Sequence, residues 1–434
     1  MQKTKKSPRF WLALIIFSLV GQIAWVMENM YLNVFIYDRF HASAEAISTM
    51  VGASSVAATL TTLFVGALSD KLGKRKLFIC VGYLCWGVSI WSFSLIRVET
   101  ISGLFFPAVS STFAATSLCI TLVIALDCLM TFFGSAANDA CFNAWLTDST
   151  DHTNRGAAEG INSMMPMLAI LVVFGGAMFL NPESPSYWTV IFCVIGAAVF
   201  AMGILGFFLI QEPKVNTADN TQYLKNLIYG FRPSVIRENK TLYLTLAAYA
   251  VFGISIQIFM PYLILYYTES LQMDNYVLIF APAIVLAAVF TFFYGKIYDK
   301  FGFARSAMPA IALLMLGYVL LYCFRSLVPV FLGTLIMLCG YLSGMAVFGA
   351  MLRDHTPENK AGMFQGQRII GQVLVPGIIG PAIGAWVLKN AETIVNSDGT
   401  TSFLPNANIF LAALVAAGVI WLMFIPLFKT IKKR

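Results

Sequence analysis

The sequence predicts an all-α membrane protein: twelve transmembrane helices in two pseudo-symmetric six-helix bundles, with both termini cytoplasmic. Three observations carry that reading. Of 434 residues, 59% are hydrophobic and 11% charged, where ordinary soluble domains average roughly 25% charged. The apolar residues gather into runs near the roughly 20 residues that a helix needs to cross a bilayer core of about 30 Å. A basic turn also occurs twice, as Gly66-Ala-Leu-Ser-Asp70-Lys71-Leu-Gly73-Lys74-Arg75 and as Gly295-Lys-Ile-Tyr-Asp299-Lys300-Phe-Gly302, with 229 positions between Asp70 and Asp299.

Taken in order, the runs lie at 10–37, 44–69, 77–96, 114–146, 158–180, 188–211, 241–267, 275–298, 306–324, 328–352, 362–388 and 404–428. The first follows Lys3, Lys5, Lys6 and Arg9, yet it is too long for the apolar region of a cleaved signal and is read as helix one. The second run of each half ends in the basic turn. Its glycines supply unusual backbone angles, and its acid sits beside cations. The fourth and tenth runs end alike, in Asp148-Ser-Thr150-Asp151-His-Thr-Asn-Arg155-Gly156 and Asp354-His-Thr356-Pro-Glu358-Asn-Lys360-Ala-Gly362. The polar, Asn- and Lys-rich stretch 212–240 separates the halves. The expected organisation is an N-terminal bundle 1–211, a cytoplasmic linker 212–240 and a C-terminal bundle 241–434.

An even number of spans puts both termini on one side, and the basic residues say which. Of 28 lysines and arginines, Arg39, Arg97, Arg325 and Lys389 fall in expected outer loops, Arg368 lies within a run, and the other 23 are assigned to the cytoplasm. The net charge of +7 is therefore mostly topology. It is dispersed over short loops and tails rather than gathered into a groove with interleaved aromatics, which argues against nucleic acid as a partner. All eight cysteines fall in apolar runs without a Cys-x-x-Cys pair, so neither a disulfide framework nor a metal site is indicated, and no cofactor is expected. The location implied is a cell membrane, plasma or inner, crossed many times.

An ionisable side chain near the bilayer centre costs several kcal/mol unless paired or solvated, which makes it a functional candidate. Glu28 lies ten residues before Asp38 at the outer end of helix one, about 15 Å along a helix. Asp139 lies nine residues before Asp148 at the inner end of helix four, about 14 Å by the same rise. Across the repeat Glu28 faces Gln257 and Asp139 faces Met345, so neither acid is required by the duplicated scaffold. Both are read as proton- or cation-coupling residues, with helix packing as the alternative. Asp127, about 31 Å from Asp148 on a straight helix, is placed at the outer mouth in a solvated or gating role. Glu159 is placed near the start of helix five as a loop or latch contact.

Polar and aromatic residues accompany these acids. Around Glu28, Gln22, Asn29 and Asn33 fall within about 20° of one direction at 100° per residue, with Trp25 alongside. Helix four adds Asn138, Asn143 and Trp145, and helix seven adds Gln257, Tyr262 and Tyr266. Amides with aromatic faces suit a hydroxylated neutral ligand such as a sugar, and they equally suit packing. Arg368, about 12 Å into helix eleven, either pairs with a midplane acid as a coupling switch or reaches toward the cytoplasmic mouth. The three histidines, His41, His152 and His355, all fall in loops.

The turn at 66–75 resembles the loop between helices two and three of the major facilitator superfamily, more loosely matched in the second copy, where Phe303 and Ala304 replace cations. The resemblance implies two halves rocking about a midplane site, with Gly66, Asp70, Gly73, Arg75, Gly295, Asp299 and Gly302 forming a cytoplasmic gate. Asn138-Asp139-Ala-Cys-Phe-Asn-Ala-Trp-Leu-Thr-Asp148 resembles helix four of the glycoside-pentoside-hexuronide cation symporters, and more closely that of the related proton-coupled sucrose carriers. Ala24-Trp25-Val-Met-Glu28 resembles the helix-one segment of the latter. Melibiose-type sodium symporters carry two further acids where this chain has Ala58 and Thr62, which favours protons over sodium, and their helix-eleven lysine falls near Gln372.

The function expected is alternating-access secondary transport: a proton-coupled symporter of a small hydrophilic solute such as a sugar or glycoside, acting as a monomer in the bilayer. A second reading is a proton-coupled exporter, because Gly377-Ile-Ile-Gly380-Pro381-Ala-Ile-Gly384 resembles the Gly-Pro motif of drug antiporters, although it stands in helix eleven rather than helix five. A third is a non-transporting sensor on the same scaffold. No hydrolase, metalloprotease or phosphate-loop motif is present, so an enzyme is not expected.

Overall fold

The computed structural model describes residues 6–105, 112–150, 154–212, 231–273, 275–356, 365–396 and 400–431. Eleven helices in it are long and apolar enough to cross a membrane. We label them α1 (Pro8–Phe40), α2 (Ala44–Leu72), α3 (Arg75–Leu95), α4 (Ala114–Asp148), α5 (Gly160–Ala177), α6 (Tyr187–Leu209), α7 (Lys240–Ser270), α8 and α9 (the arms 277–301 and 303–323 of Val277–Cys323), α10 (Leu327–His355), α11 (Gly366–Leu388) and α12 (Asn408–Ile431). The 47 residues of Val277–Cys323 would reach about 70 Å as one helix, far beyond one bilayer. Gly302, at φ 73, breaks it into two arms. Its counterpart Gly73 ends α2 at φ 61. These are the two turn glycines of the repeat, and the left-handed angle explains why glycine stands at each.

Ends follow local chemistry. Ser7 caps α1 by accepting from the Phe10 amide, with Pro8 in the first helical position. His41 closes α1 in the left-handed region at φ 50, its amide donating to the Tyr37 carbonyl. Most of the linker, residues 213–230, lies outside the described residues. So do 151–153 and 357–364 of the second repeat, His152 and Lys360 among them, and the Glu159 side chain.

Chain contacts define two units: residues 1–42 with 56–222, and residues 43–55 with 223–434. In the first unit α3 and α6 approach closely, because any side chain on Gly87 would meet the Phe200 and Gly196 backbone within 2.7 Å. Without a hydrophobic drive between helices in lipid, such small residues let backbones touch. Aromatic rings fill the rest: Phe17 meets Tyr83 edge-on at 5.1 Å, and Phe35 meets Phe192 at 4.8 Å.

In the second unit Gly317 and Gly340 bring α9 and α10 together, each facing the other helix's backbone at Met337 and Leu314. Gly380 and Gly384 of α11 do the same against Gln257 and the Ile258 carbonyl of α7. A two-stranded antiparallel hairpin follows α11, β1 (Thr393–Val395) pairing with β2 (Thr401–Phe403) in the register Thr393↔Phe403. The all-α reading of the sequence leaves no place for these strands.

Candidate functional site

Four of the long helices leave α-helical winding for one widened π turn: α1 at Met27–Tyr31, α4 at Ser135–Phe142, α7 at Tyr266–Ser270 and α11 at Ile370–Leu374. Such turns are rare and concentrate at functional sites. Glu28 sits on the first, Asn138 and Asp139 on the second, Tyr266 on the third and Gln372 on the fourth. A wide turn also breaks the 100° spacing used to place residues on one face. Asn29 is exposed, Gln22 half-buried and Asn33 wholly buried, and the single polar stripe expected on helix one is corrected accordingly.

In the first unit Glu28 is 7% exposed. Thr131 of α4 donates to its Oε1 at 2.7 Å, and Oε2 has no partner among the described residues. No Lys or Arg forms an ion pair with it there. Asp127 and Asp139 both lie within electrostatic reach of it. Asp127 stands one turn before Thr131 and is 2% exposed, so the solvated outer-mouth position read from a straight-helix ruler is corrected to a buried one. The physical reason is that residues 32–40 of α1 pack against the N-terminal part of the 35-residue α4.

Asp139 is half-buried and accepts from the Ser135 hydroxyl at 3.0 Å. Beside it the Asn138 amide donates to the Tyr83 hydroxyl at 2.7 Å, which donates onward to the Phe17 carbonyl at 3.0 Å. Gly21 makes room for this relay, since a Cβ there would collide with Asn138 Nδ2. Trp25 and Trp86 meet at 5.1 Å with their planes tilted by 51° over Gly134, and neither indole nitrogen has a partner among the described residues. The site thus joins Trp25, Glu28, Asn138 and Asp139 to Tyr83, Trp86, Thr131 and Ser135, which sequence reasoning missed. Aromatics at i and i+3 in an apolar run look the same as core, so nothing in the sequence marked Tyr83 and Trp86.

Other expected site residues are spent locally. Asn29 donates to the Trp25 carbonyl, Asn33 to the Asn29 carbonyl and Asn143 to the Asp139 carbonyl, each one turn back. Gln22 is half-buried. Trp145 is buried near the C-terminal end of α4, donating to the Gln211 carbonyl at 2.9 Å and stacking on Phe142. In the second unit the Tyr262 hydroxyl, fully buried, lies 3.0 Å from the Ala44 carbonyl and 3.3 Å from that of Pro381. Tyr266 packs against Tyr267 and Phe410, its hydroxyl without a partner among the described residues. Gln257 is pressed by Gly380, and Gln372 is half-buried. Arg368 lies near Tyr249 and Arg353, with no ion pair to a carboxylate among the described residues.

The two basic turns differ in chemistry. Arg75, 4% exposed, pairs with Asp70 and Asp148 and donates to Ser69. Glu212, which sequence reasoning missed, accepts from the Arg75 and Lys76 amides at the start of α3. In the second copy Tyr298 donates to Asp354, and Asp299 is exposed without an ion pair among the described residues. Gly66 and Gly295 are half-buried within their helices.

The sequence profile of the Major Facilitator Superfamily matches residues 10–381. No curated protein sequence matches the chain significantly. Among solved structures, the fold is similar to that of the nucleoside transporter NupG, with TM-score 0.66 at 13% identity, covering 97% of this chain and 98% of that one. It is similar to a bacterial homologue of the human lysosomal transporter Spinster, inward-facing and occupied, with TM-score 0.70 at 15% identity, covering 99% of both chains. It is also similar to the xylose transporter XylE from E. coli, partially occluded and inward open, with TM-score 0.67 at 12% identity, covering 96% and 99%. At these identities the likeness concerns the fold.

Proposed function

Because this chain belongs to the Major Facilitator Superfamily, we propose that it is a proton-coupled symporter that carries a small hydrophilic solute, such as a sugar or glycoside, by alternating access. It is a multi-pass membrane transporter and not an enzyme. The observation that carries the finer reading is Glu28: a carboxyl group sealed in the first unit, held by one hydroxyl and faced by two further acids. A permanently ionised carboxylate with so few partners is expensive to bury. A group that takes up and gives back a proton during the cycle escapes that cost for part of it. Asp139, on the facing wide turn, serves as the second proton or ligand contact.

A D-xylose–proton symporter and a nucleoside transporter share the fold, and the helix-one and helix-four segments resemble proton-coupled sucrose carriers. Both support a hydroxylated solute. Ala58 and Thr62 offer no carboxylate for a sodium cage, which favours the proton. In the inner turns Asp70, Arg75 and Asp148 act as a latch. The exporter reading gains nothing from Gly377–Gly384, whose glycines pack against Ser55, Gln257 and Ile258.

Reconstituted protein with an imposed pH gradient tests this. Glu28→Gln and Asp139→Asn should each abolish uphill uptake of the transported sugar while leaving part of the counterflow. Undiminished proton-driven accumulation in both variants would reject the coupling role, and outward drug movement would favour export.

A further inference from the structure

At the end of the first unit that the basic-residue distribution assigns to the outside, a cavity of about 280 Å³ opens where α1 and α3 end and α6 begins. It is lined by Arg39 and Arg97, two of the four cations in the expected outer loops. The rule that keeps basic residues out of outer loops makes their meeting in one cavity notable. They come from different loops. Its floor is aromatic and preformed: Trp188 meets Phe35 at 5.3 Å, and Phe93 stacks on Phe192 at 5.4 Å.

Neither guanidinium is neutralised at close range. Arg97 reaches Thr189 Oγ1 at 3.3 Å and forms no ion pair among the described residues. Arg39 donates to the Pro185 carbonyl at 2.9 Å, with Asp38 only at 3.9 Å. That Asp38 oxygen already accepts from the Trp188 indole at 2.6 Å. A guanidinium has five N–H donors, so each arginine keeps several in reserve. Glu99 also lines the cavity, so the lining itself carries two positive charges and one negative, with Asp38 beside Arg39 at 3.9 Å. Planar arginine forks suit oxyanions, phosphate above all. The cavity holds far more than one water, whose share of liquid is about 30 Å³. Its depth, at the helix ends beside a buried tryptophan, is that of the membrane–water boundary.

We propose that this cavity is an anion site that takes the phosphate of a glycerol phosphate ester, with Arg39 and Arg97 gripping the oxyanion, Thr189 and Ser94 meeting the glycerol oxygens and Trp188 flooring the site. An outer-leaflet phospholipid headgroup and a soluble glycerol phosphate share that chemistry. The site stands apart from Glu28 and does not depend on the coupling mechanism.

Purified protein in neutral detergent is titrated with short-chain phosphatidylglycerol, short-chain phosphatidylcholine or glycerol 3-phosphate, and the unfolding midpoint is followed, since a ligand of the folded state raises it by mass action. Phosphatidylglycerol should raise the midpoint saturably. Arg97→Gln and the double variant with Arg39→Gln should weaken that binding about tenfold or more, the scale of losing charge-assisted hydrogen bonds. Lys389→Gln, at a cation of an expected outer loop that does not line the cavity, should leave it unchanged. Arg97 is exposed, so the single variant folds even where the double one does not. Saturation by glycerol 3-phosphate at equal affinity supports the site and assigns it to a soluble ester; binding that needs the acyl chains assigns it to the lipid. The proposal is overturned by no saturable shift with either anionic probe, by phosphatidylcholine binding as tightly, or by unchanged affinity in Arg97→Gln.

Discussion

Thr131 is where Glu28 meets the rest of the protein, and its hydroxyl has a testable worth. Thr131→Val keeps the shape and removes the donor to Oε1. A buried polar group left without its partner costs about 1–3 kcal/mol, so the variant should unfold at a lower temperature in detergent. Thr121→Val, on an exposed part of the same helix, should change little. Equal midpoints for the two would show that the Thr131 contact is idle. Gly21 offers a second test: a methyl group there collides with Asn138 and the Tyr83 hydroxyl. Overpacking of this kind costs about 1–3 kcal/mol, whereas Gly418→Ala faces open space and should be near neutral in the same melt. The acids were legible in the sequence because a charge inside an apolar run has no cheap explanation. Tyr83 and Trp86 were not, because an aromatic ring in such a run looks like packing until its polar atom is traced.

At the scale of elements, the helices could be read from hydropathy and the wide turns could not. Hydropathy reports which residues avoid water, while the extra residue of a π turn leaves that pattern almost unchanged. A helix-one stripe drawn at 100° per residue therefore fails, and a straight-helix ruler puts Asp127 in solvent that it does not reach. Deleting Met30 from Met27–Tyr31 should restore α winding and rotate Glu28 by about 100° against the residues that follow it. The expected outcome is a monodisperse protein with uptake reduced at least about tenfold, read by size-exclusion chromatography and flux together; wild-type uptake would mean the wide turn has no role. The hairpin β1–β2 escapes the hydropathy reading although Asp398-Gly399, a favoured hairpin pair, stands between its strands. In a chain dominated by apolar runs, two strands of three residues carry too little pattern to stand out.

For the whole molecule the duplication was readable, since one turn sequence recurs at the same place in each half. Its energetics were not, because a motif does not say what surrounds it. In the first copy a buried arginine joins Asp70 to Asp148, with side-chain exposures of 5%, 20% and 28%. In the second, Ala304 stands at the equivalent of Arg75, Tyr298 takes over the acid at 354, and Asp299 faces solvent. Removing one partner of a buried pair strands the other charge, at about 3–5 kcal/mol, while an exposed acid contributes about 0–1 kcal/mol. Asp70→Asn should therefore lower the unfolding midpoint and impair transport much more than Asp299→Asn, and Arg75→Ala more than either, because it orphans two acids at once. Detergent melts and proteoliposome uptake on the three variants measure both effects. Equal losses at Asp70 and Asp299 would mean that the turns act through their shared backbone, with the two left-handed glycines setting the behaviour. The unequal result would place the inner latch of this transporter in one half, on the same side of the duplication as Glu28 and Asp139.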